Sequence, residues 1–210
     1  MLPNGRPIGP HAALGAGMAK AVDRAASIGA STFQVFTDNP TSWRRRPDAP
    51  RELPAFRARV AAHGLGPLAV HASYLVNLAG PDETFFERSC ALLAAELRMS
   101  AAYGARLVNV HAGSHRGAGI EAGIVRLAEG VRRTLDLADA TGWAHASDPA
   151  GTGGPLPGEA HRGSGEPPLL VIENGAGGGF GMGWTIEELA LIARAVGAAG
   201  RDPNRGSHCL

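Results

Sequence analysis

The sequence predicts an α/β protein that forms most of a (β/α)8 TIM barrel, truncated to about five and a half β/α units. Short β-like runs alternate with helix-like runs along the chain, a pattern typical of parallel strands joined by helices. Several predicted strands end in a histidine or an acid, as barrel strands with an active site do. A doubly wound sheet is the main rival, but the glycine-rich turn at Gly175–Gly183 lacks the G-x-G-x-x-G spacing of its nucleotide-binding loop.

The elements follow in order along the chain. One strand is predicted to end near Ile8, and the next four are predicted at Thr32–Phe36, Pro67–His71, Arg106–His111 and Leu169–Glu173. Helices are predicted from about Gly15 to Ile28, from Glu52 to His63 and from Ile120 to Ala140. A further long helix is predicted to start after Asp82 and to end at Gly104. A T-x-x-E capping box at Thr185–Glu188 indicates the start of a last helix.

Residues 141–168 interrupt this alternation. Glycine and proline dominate the segment, so we expect a flexible surface insertion between a helix and the fifth strand. A sixth strand is expected to begin near Ser207–Leu210. We therefore expect residues 1–210 to form a single, incomplete barrel domain.

Composition restricts the function only weakly. The hydrophobic fraction of 44% is that of a globular protein, and the net charge of +1 indicates no particular partner. Lys20 is the only lysine, so almost all positive charge is on arginine, which suits bidentate phosphate contacts. Cys90 and Cys209 provide no disulfide framework, and Cys90 is expected in the core. No apolar run has the length of a membrane span or signal peptide, which predicts a cytoplasmic protein.

The polar residues at the strand ends carry the functional signal. His71, His111 and Glu173 end three successive predicted strands, while His11 and His115 follow strands closely. The carboxyl ends of barrel strands converge on one face, so the first three side chains are expected in a shared site. Imidazole and carboxylate suit zinc or a similar divalent metal. The spacing alone does not select the reaction, because a sugar isomerase also places His and Glu at strand ends.

Five segments resemble, in order, the motifs of endonuclease IV, also called deoxyribonuclease IV. They are I-G-P-H-A-A at Ile8–Ala13, F-Q-V-F-T-D-N-P at Phe33–Pro40, H-A-S-Y-L-V-N-L-A at His71–Ala79, V-H-A-G-S-H at Val110–His115 and I-E-N-G-A-G at Ile172–Gly177. The resemblance covers nearly the whole chain outside the insertion. It implies a TIM barrel of the xylose isomerase-like type.

The resemblance also implies an activity and a cofactor. The family hydrolyses the phosphodiester bond 5′ to abasic sites in double-stranded DNA during base excision repair, leaving a 3′-hydroxyl and a 5′-deoxyribose phosphate. It uses three zinc ions. By resemblance, His71 and His111 hold one zinc, and Glu173 bridges it to a second with the nucleophilic hydroxide between them, which makes Glu173 the catalytic residue. A monomer is expected.

The DNA-binding positions are likewise implied by the resemblance. Asn39, Trp43 and Arg44 match the family's first DNA-recognition loop, where basic and aromatic side chains contact phosphates and enter the distorted duplex. Tyr74 and Asn77 match positions close to the DNA, where a ring stacks at the gap left by the lost base. The alternatives are a solvated charged loop for the first group and a buried aromatic for Tyr74.

The chain departs from the family pattern in two ways. Ala112 and Gly175 replace a proline and a threonine of the usual motifs, which are mild changes. The resemblance implies that the family's remaining zinc ligands follow the expected sixth strand, beyond the 210 residues considered. We therefore expect at most one well-formed zinc site and little activity from these 210 residues alone. The alternatives are a metal-dependent sugar isomerase or epimerase and a non-catalytic remnant.

Overall fold

The computed structural model describes residue 2 and residues 5–141 and 167–199. Five helices and four strands lie in these residues: α1 Met18–Ser27, β1 Gln34–Val35, α2 Leu53–His63, β2 Ala69–His71, α3 Glu83–Tyr103, β3 Leu107–His111, α4 Ile120–Ala140, β4 Leu169–Glu173 and α5 Ile186–Ala199. The strands form one parallel sheet in the order β1-β2-β3-β4. Sequential parallel strands joined by helices are the arrangement of a β/α barrel wall, as predicted.

One row of side chains across the sheet faces the helices. Val35, Val70, Val108 and Leu170 are register partners from β1 to β4, and each is fully buried. Burial of such a side chain stabilises the fold by about 1.5–3 kcal/mol. Because strand side chains alternate between faces, the residues on either side of this row point away from the helices, towards the barrel interior.

The helix ends follow the predicted capping signals. The Asp82 carboxylate accepts a hydrogen bond from the backbone N–H of Phe85 at 2.7 Å, and Gly104 ends α3 in the left-handed conformation. Before α5, the N–H of Glu188 donates to the Thr185 hydroxyl at 3.1 Å, which confirms Thr185 as the N-cap. The Glu188 carboxylate accepts from the N–H groups of Gly183 and Trp184 at 2.9 and 3.4 Å, rather than from Thr185 as a full capping box requires.

From residue 5 onward, where the N-terminal stretch is described, the first predicted strand is not present as a strand. His11 makes only an isolated parallel bridge with Gln34, and Pro7 and Pro10 lie on the preceding stretch of chain. Because proline has no backbone N–H, these two residues interrupt the ladder that a strand there would need. The first helix also begins at Met18 rather than near Gly15.

Two predicted features lie outside the described residues. They are most of the glycine- and proline-rich insertion at 141–168 and the sixth strand at 207–210. None of the helices that the structure describes combines the length and apolar character that a membrane crossing requires.

Candidate metal centre

Three neighbouring strands bring His71, His111 and Glu173 to the same edge of the sheet. His111 and Glu173 are register partners on β3 and β4, and His71 of β2 is the partner of Asn109 on β3. Since Asn109 and His111 are two residues apart, all four side chains point to one face. The fold therefore places the two histidines and the acid side by side, although they are far apart in the sequence.

The distances between the three side chains are those of a metal-binding group. Glu173 Oε2 lies 3.2 Å from His71 Nε2 and 3.9 Å from His111 Nε2. One ligand atom from each residue lies within 4.8 Å of the other two. Within the described residues, no other group of three or more His, Cys, Asp or Glu side chains has this geometry.

Hydrogen bonds orient two of the three candidate ligands, His71 and Glu173. His71 Nδ1 donates to the carbonyl of Ala72 at 2.7 Å, so its lone pair is on Nε2, the atom that faces Glu173. Asn109 Nδ2 donates to Glu173 Oε2 and orients that carboxylate. Such partners are typical of ligands to zinc. Two imidazole nitrogens and a carboxylate, with His71 buried and His111 half-exposed, fit a divalent ion of this kind.

Aromatic rings surround the two histidines. The Tyr74 ring stacks beside His111 with centroids 6.2 Å apart, and its edge contacts Phe36 at 5.2 Å. Tyr74 remains 55% exposed, so the alternative interpretation of it as a buried aromatic is wrong. His11 lies 4.4 Å from Phe36, and burial, followed by repulsion from His71, lowers the pKa of His11. The ring of Tyr74 is thus open to solvent directly beside the candidate metal ligands.

The loop after β1 places its predicted residues differently. Arg44 is exposed, and Asn39 is exposed with its side-chain oxygen accepting hydrogen bonds from the N–H and hydroxyl of Thr41 at 3.0 and 2.9 Å. Trp43 is half-buried, and its ring meets Phe85 at 5.0 Å in an edge-to-face contact. Trp43 therefore anchors the loop to α3, whereas the side chain of Arg44 is accessible to a ligand.

The side-chain amide of Asn77 forms hydrogen bonds within the protein. Its Oδ1 accepts from the N–H groups of Ser114 and Ala79 at 3.0 and 3.2 Å, and its Nδ2 donates to the Ser114 carbonyl at 3.0 Å. Gly113 has φ +85°, and a Cβ there would lie 2.5 Å from Asn77 Oδ1. Asn77 therefore connects the segment after β2 to the segment after β3. His111 is the last residue of β3 and directly precedes this second segment.

Sequence reasoning missed Asn109 and Glu96. Asn109 precedes His111 by two residues, and this strand period could have placed it on the site face. Glu96 is 4% exposed on α3, and its two carboxylate oxygens accept from the N–H of Ser73 at 3.2 and 3.0 Å. No sequence signal links a helix residue to a loop 23 residues earlier.

Fold and site together define a β/α barrel protein with a candidate divalent-metal centre at the carboxyl ends of its strands. The profile of the Xylose isomerase-like TIM barrel family matches residues 22–202, and the chain belongs to this family.

Among individual proteins, the chain is similar to endonuclease IV, which confirms the resemblance seen in the motifs. It is 44% identical over 207 residues to a probable endonuclease 4 of Halorhodospira halophila, covering 97% of this chain and 59% of the relative. The crystal structure of endonuclease IV from Thermus thermophilus matches with a TM-score of 0.63 and 36% identity, covering 89% of this chain and 59% of that one. The chain thus spans about 60% of the length of these relatives.

A sugar epimerase shares the fold at lower sequence identity. D-psicose 3-epimerase matches with a TM-score of 0.59 and 14% identity, covering 96% of this chain and 62% of that chain. This likeness supports the barrel fold only.

Proposed function

We propose that the chain carries one metal site and part of the DNA-binding surface of an abasic-site endonuclease. The reaction is hydrolysis of the phosphodiester bond 5′ to an abasic site, which yields a 3′-hydroxyl and a 5′-deoxyribose phosphate. The protein would work as a monomer in the cytoplasm. The similarity to endonuclease IV supports this assignment, and the chain spans only 59% of that relative's structure.

The observation that carries the proposal is the convergence of His71, His111 and Glu173, whose ligand atoms lie within 4.8 Å of one another. These residues would hold zinc. Bound zinc lowers the pKa of water into the physiological range and neutralises charge on a phosphate. The ligand set therefore suits phosphodiester hydrolysis.

The chain's own residues have distinct roles in this proposal. Glu173 is a metal ligand, and the hydrogen bond from Asn109 fixes which way its carboxylate faces. His71 is held by the Ala72 carbonyl, so its ring is already oriented before a metal binds. Both constraints reduce the rearrangement that metal binding would otherwise require.

DNA contact is assigned mainly to exposed side chains near the metal ligands. Tyr74 offers an open ring face beside His111, suited to stacking where a base is missing. Arg44 offers an exposed guanidinium to a phosphate, and Asn39 lies exposed in the same loop. Trp43 and Asn77 would contribute indirectly, because their internal contacts hold the loops that present these groups.

A metal-dependent sugar epimerase is the second candidate. The epimerase fold likeness and the His–Glu ligand set are compatible with it. The exposed Arg44 and Tyr74 favour the nuclease, because a small sugar has no phosphate for an arginine to bind and does not require an open ring face.

The test uses the 210-residue chain and a form extended by any coding sequence that follows it. Each is incubated with zinc and a duplex bearing one abasic site, and the products are resolved by denaturing electrophoresis. We expect metal-dependent nicking by the extended form and little by the shorter chain. Glu173→Gln should abolish nicking in the extended form. Epimerisation of a ketose without nicking would reject the nuclease.

A further inference from the structure

Two exposed arginines lie against two aromatic rings, Trp43 in the loop that follows β1 and Phe85 in α3. The guanidinium carbon of Arg88 lies 4.3 Å from the centroid of the Trp43 ring. Trp43 meets Phe85 edge-to-face at 5.0 Å, and the guanidinium carbon of Arg116 lies 5.9 Å from the Phe85 centroid. We call Arg88, Trp43, Phe85 and Arg116 the arginine surface. Cation–π contacts at these distances restrict the guanidinium groups without neutralising them.

The arginine surface lies at the carboxyl ends of the strands, as the candidate metal ligands do. Arg116 belongs to the β3–α4 connection that begins after His111, and Arg88 is in the second turn of α3, after the β2–α3 connection. In a β/α barrel these connections and helix starts lie at the carboxyl ends of the strands. A long ligand that is bound at His111 can therefore also contact the arginine surface.

The backbone of Arg116 is held in a conformation that a side chain rarely adopts. Its φ is 46°, the only positive φ of a non-glycine residue among those described. The Ser114 hydroxyl accepts its N–H at 3.3 Å, and His115 Nδ1 accepts the N–H groups of Gly117 and Gly119 at 3.2 and 3.1 Å. Glycine would fit this conformation with less strain. A strained backbone position of this kind makes Arg116 a candidate for a functional role.

The acidic groups on the same helix are already engaged. Glu83 pairs with Arg126, Glu87 pairs with Arg133 at 2.7 Å, and Asp82 caps the helix. Neither arginine of the surface has a carboxylate within ion-pair distance in the described part of the chain. The surface therefore presents two uncompensated, oriented guanidinium groups.

We propose that Arg88 and Arg116 bind backbone phosphates of the DNA duplex next to the lesion. The occupant rests on the proposed function, and charge complementarity supports it, since guanidinium groups bind phosphates with bidentate geometry. The contact is to phosphates and is therefore independent of sequence and of the lesion itself. It fixes the duplex while Tyr74 and the metal ligands meet the abasic nucleotide.

The test measures binding of the 210-residue chain to an undamaged duplex, without metal, by fluorescence anisotropy at several salt concentrations. The variants are Arg88→Gln, Arg116→Gly and their combination. The control is Arg24→Gln, because Arg24 lies in the last turn of α1, at the opposite end of the barrel. At 0.1 M salt each surface arginine should contribute about eightfold to the binding constant, and the double variant should lower the slope of log K against log salt by about 2.

Arg116→Gly separates binding from folding. Because glycine adopts the positive φ readily, its thermal midpoint should be unchanged or higher while DNA affinity falls. Wild-type affinity or salt slope in the double variant would overturn the proposal, as would an equal loss in Arg24→Gln or no duplex binding by the wild-type chain at 50 mM salt. These outcomes do not depend on zinc or nicking, so the surface and the nuclease assignment can fail separately.

Discussion

Arg45 Nη2 and Glu96 Oε1 lie 3.0 Å apart, with the arginine side chain 13% exposed and the glutamate 5% exposed. Arg45 Nη1 donates to the carbonyls of Asn39 and Arg44 at 3.0 and 3.1 Å, while Glu96 accepts from the N–H of Ser73. Ser73 lies two residues after the candidate ligand His71. The pair therefore joins the arginine-rich loop to the strand end that carries His71, through the body of α3.

This pair should give the chain a distinctive pH dependence. Burial, partly offset by the Ser73 N–H and Arg45, raises the pKa of Glu96 from 4.5 to about 7. The folded chain thus holds this proton more tightly than the unfolded chain, so the contribution of Glu96 to stability is full below pH 4.5 and is lost as pH rises to about 7. The free energy of unfolding should fall by up to about 3 kcal/mol across this window.

Glu96→Gln removes that titration. When urea unfolding is measured at pH 5 and pH 8, the free energy of unfolding should therefore decrease less between the two pH values in the variant than in the wild type. Glu87→Gln, on the exposed side of the same helix, is the control and should leave the decrease unchanged. Identical pH slopes in wild type and Glu96→Gln would mean that Glu96 is not the titrating group.

The candidate metal centre predicts zinc binding by the 210-residue chain. His111→Ala should weaken zinc binding at least tenfold, because one of three ligands is lost. The zinc affinity of the wild-type chain should decrease as the pH is lowered, because protons compete with zinc for the imidazoles. Competition with a chromophoric chelator measures this. His63→Ala removes an exposed histidine that pairs with Asp23 and should leave affinity unchanged. Equal affinity in both variants would place the zinc elsewhere.

Asn109 should act on the metal through Glu173. Its amide donates to the carboxylate, so Asn109→Ala frees Glu173 to rotate and should weaken zinc binding about tenfold. Asn174→Ala, at an exposed position beside Glu173, provides the matched control. If Asn109→Ala binds zinc as wild type does, the hydrogen bond has no role in orienting the ligand.

Asn77 should affect stability before it affects DNA binding. Asn77→Ala leaves the N–H groups of Ser114 and Ala79 and the Ser114 carbonyl without their partner, a cost of about 1–3 kcal/mol each where water cannot replace it. Chemical denaturation measures the loss. Asn77→Asp keeps the acceptor for both N–H groups and should lose less. A stable Asn77→Ala chain with weakened DNA binding would instead indicate direct DNA contact.

Tyr74 should affect DNA and not the fold. Tyr74→Phe keeps the ring and should retain affinity for an abasic duplex, whereas Tyr74→Ala should lose about 1–3 kcal/mol of binding. Because the side chain is 55% exposed, the thermal midpoint of both variants should stay close to that of wild type. Anisotropy with matched abasic and intact duplexes separates the two effects. Equal affinity of Tyr74→Ala and wild type for abasic DNA would exclude stacking.

The barrel class and the identity of the candidate ligands could be predicted from the amino-acid sequence. Alternating strand and helix patterns set the parallel order, and in that order the strand-end residues His71, His111 and Glu173 must reach one edge of the sheet. These features depend on local pattern, which can be read from a single chain.

The use of the neighbouring side chains depends instead on tertiary packing. Asn77 and Trp43 face internal partners, while Tyr74 stays open to solvent. Glu96 meets Arg45 across 51 residues because α3 packs beneath two loops that sequence cannot place relative to each other. Packing between distant segments determines which polar groups are occupied and which remain free to bind, and no local pattern encodes that choice.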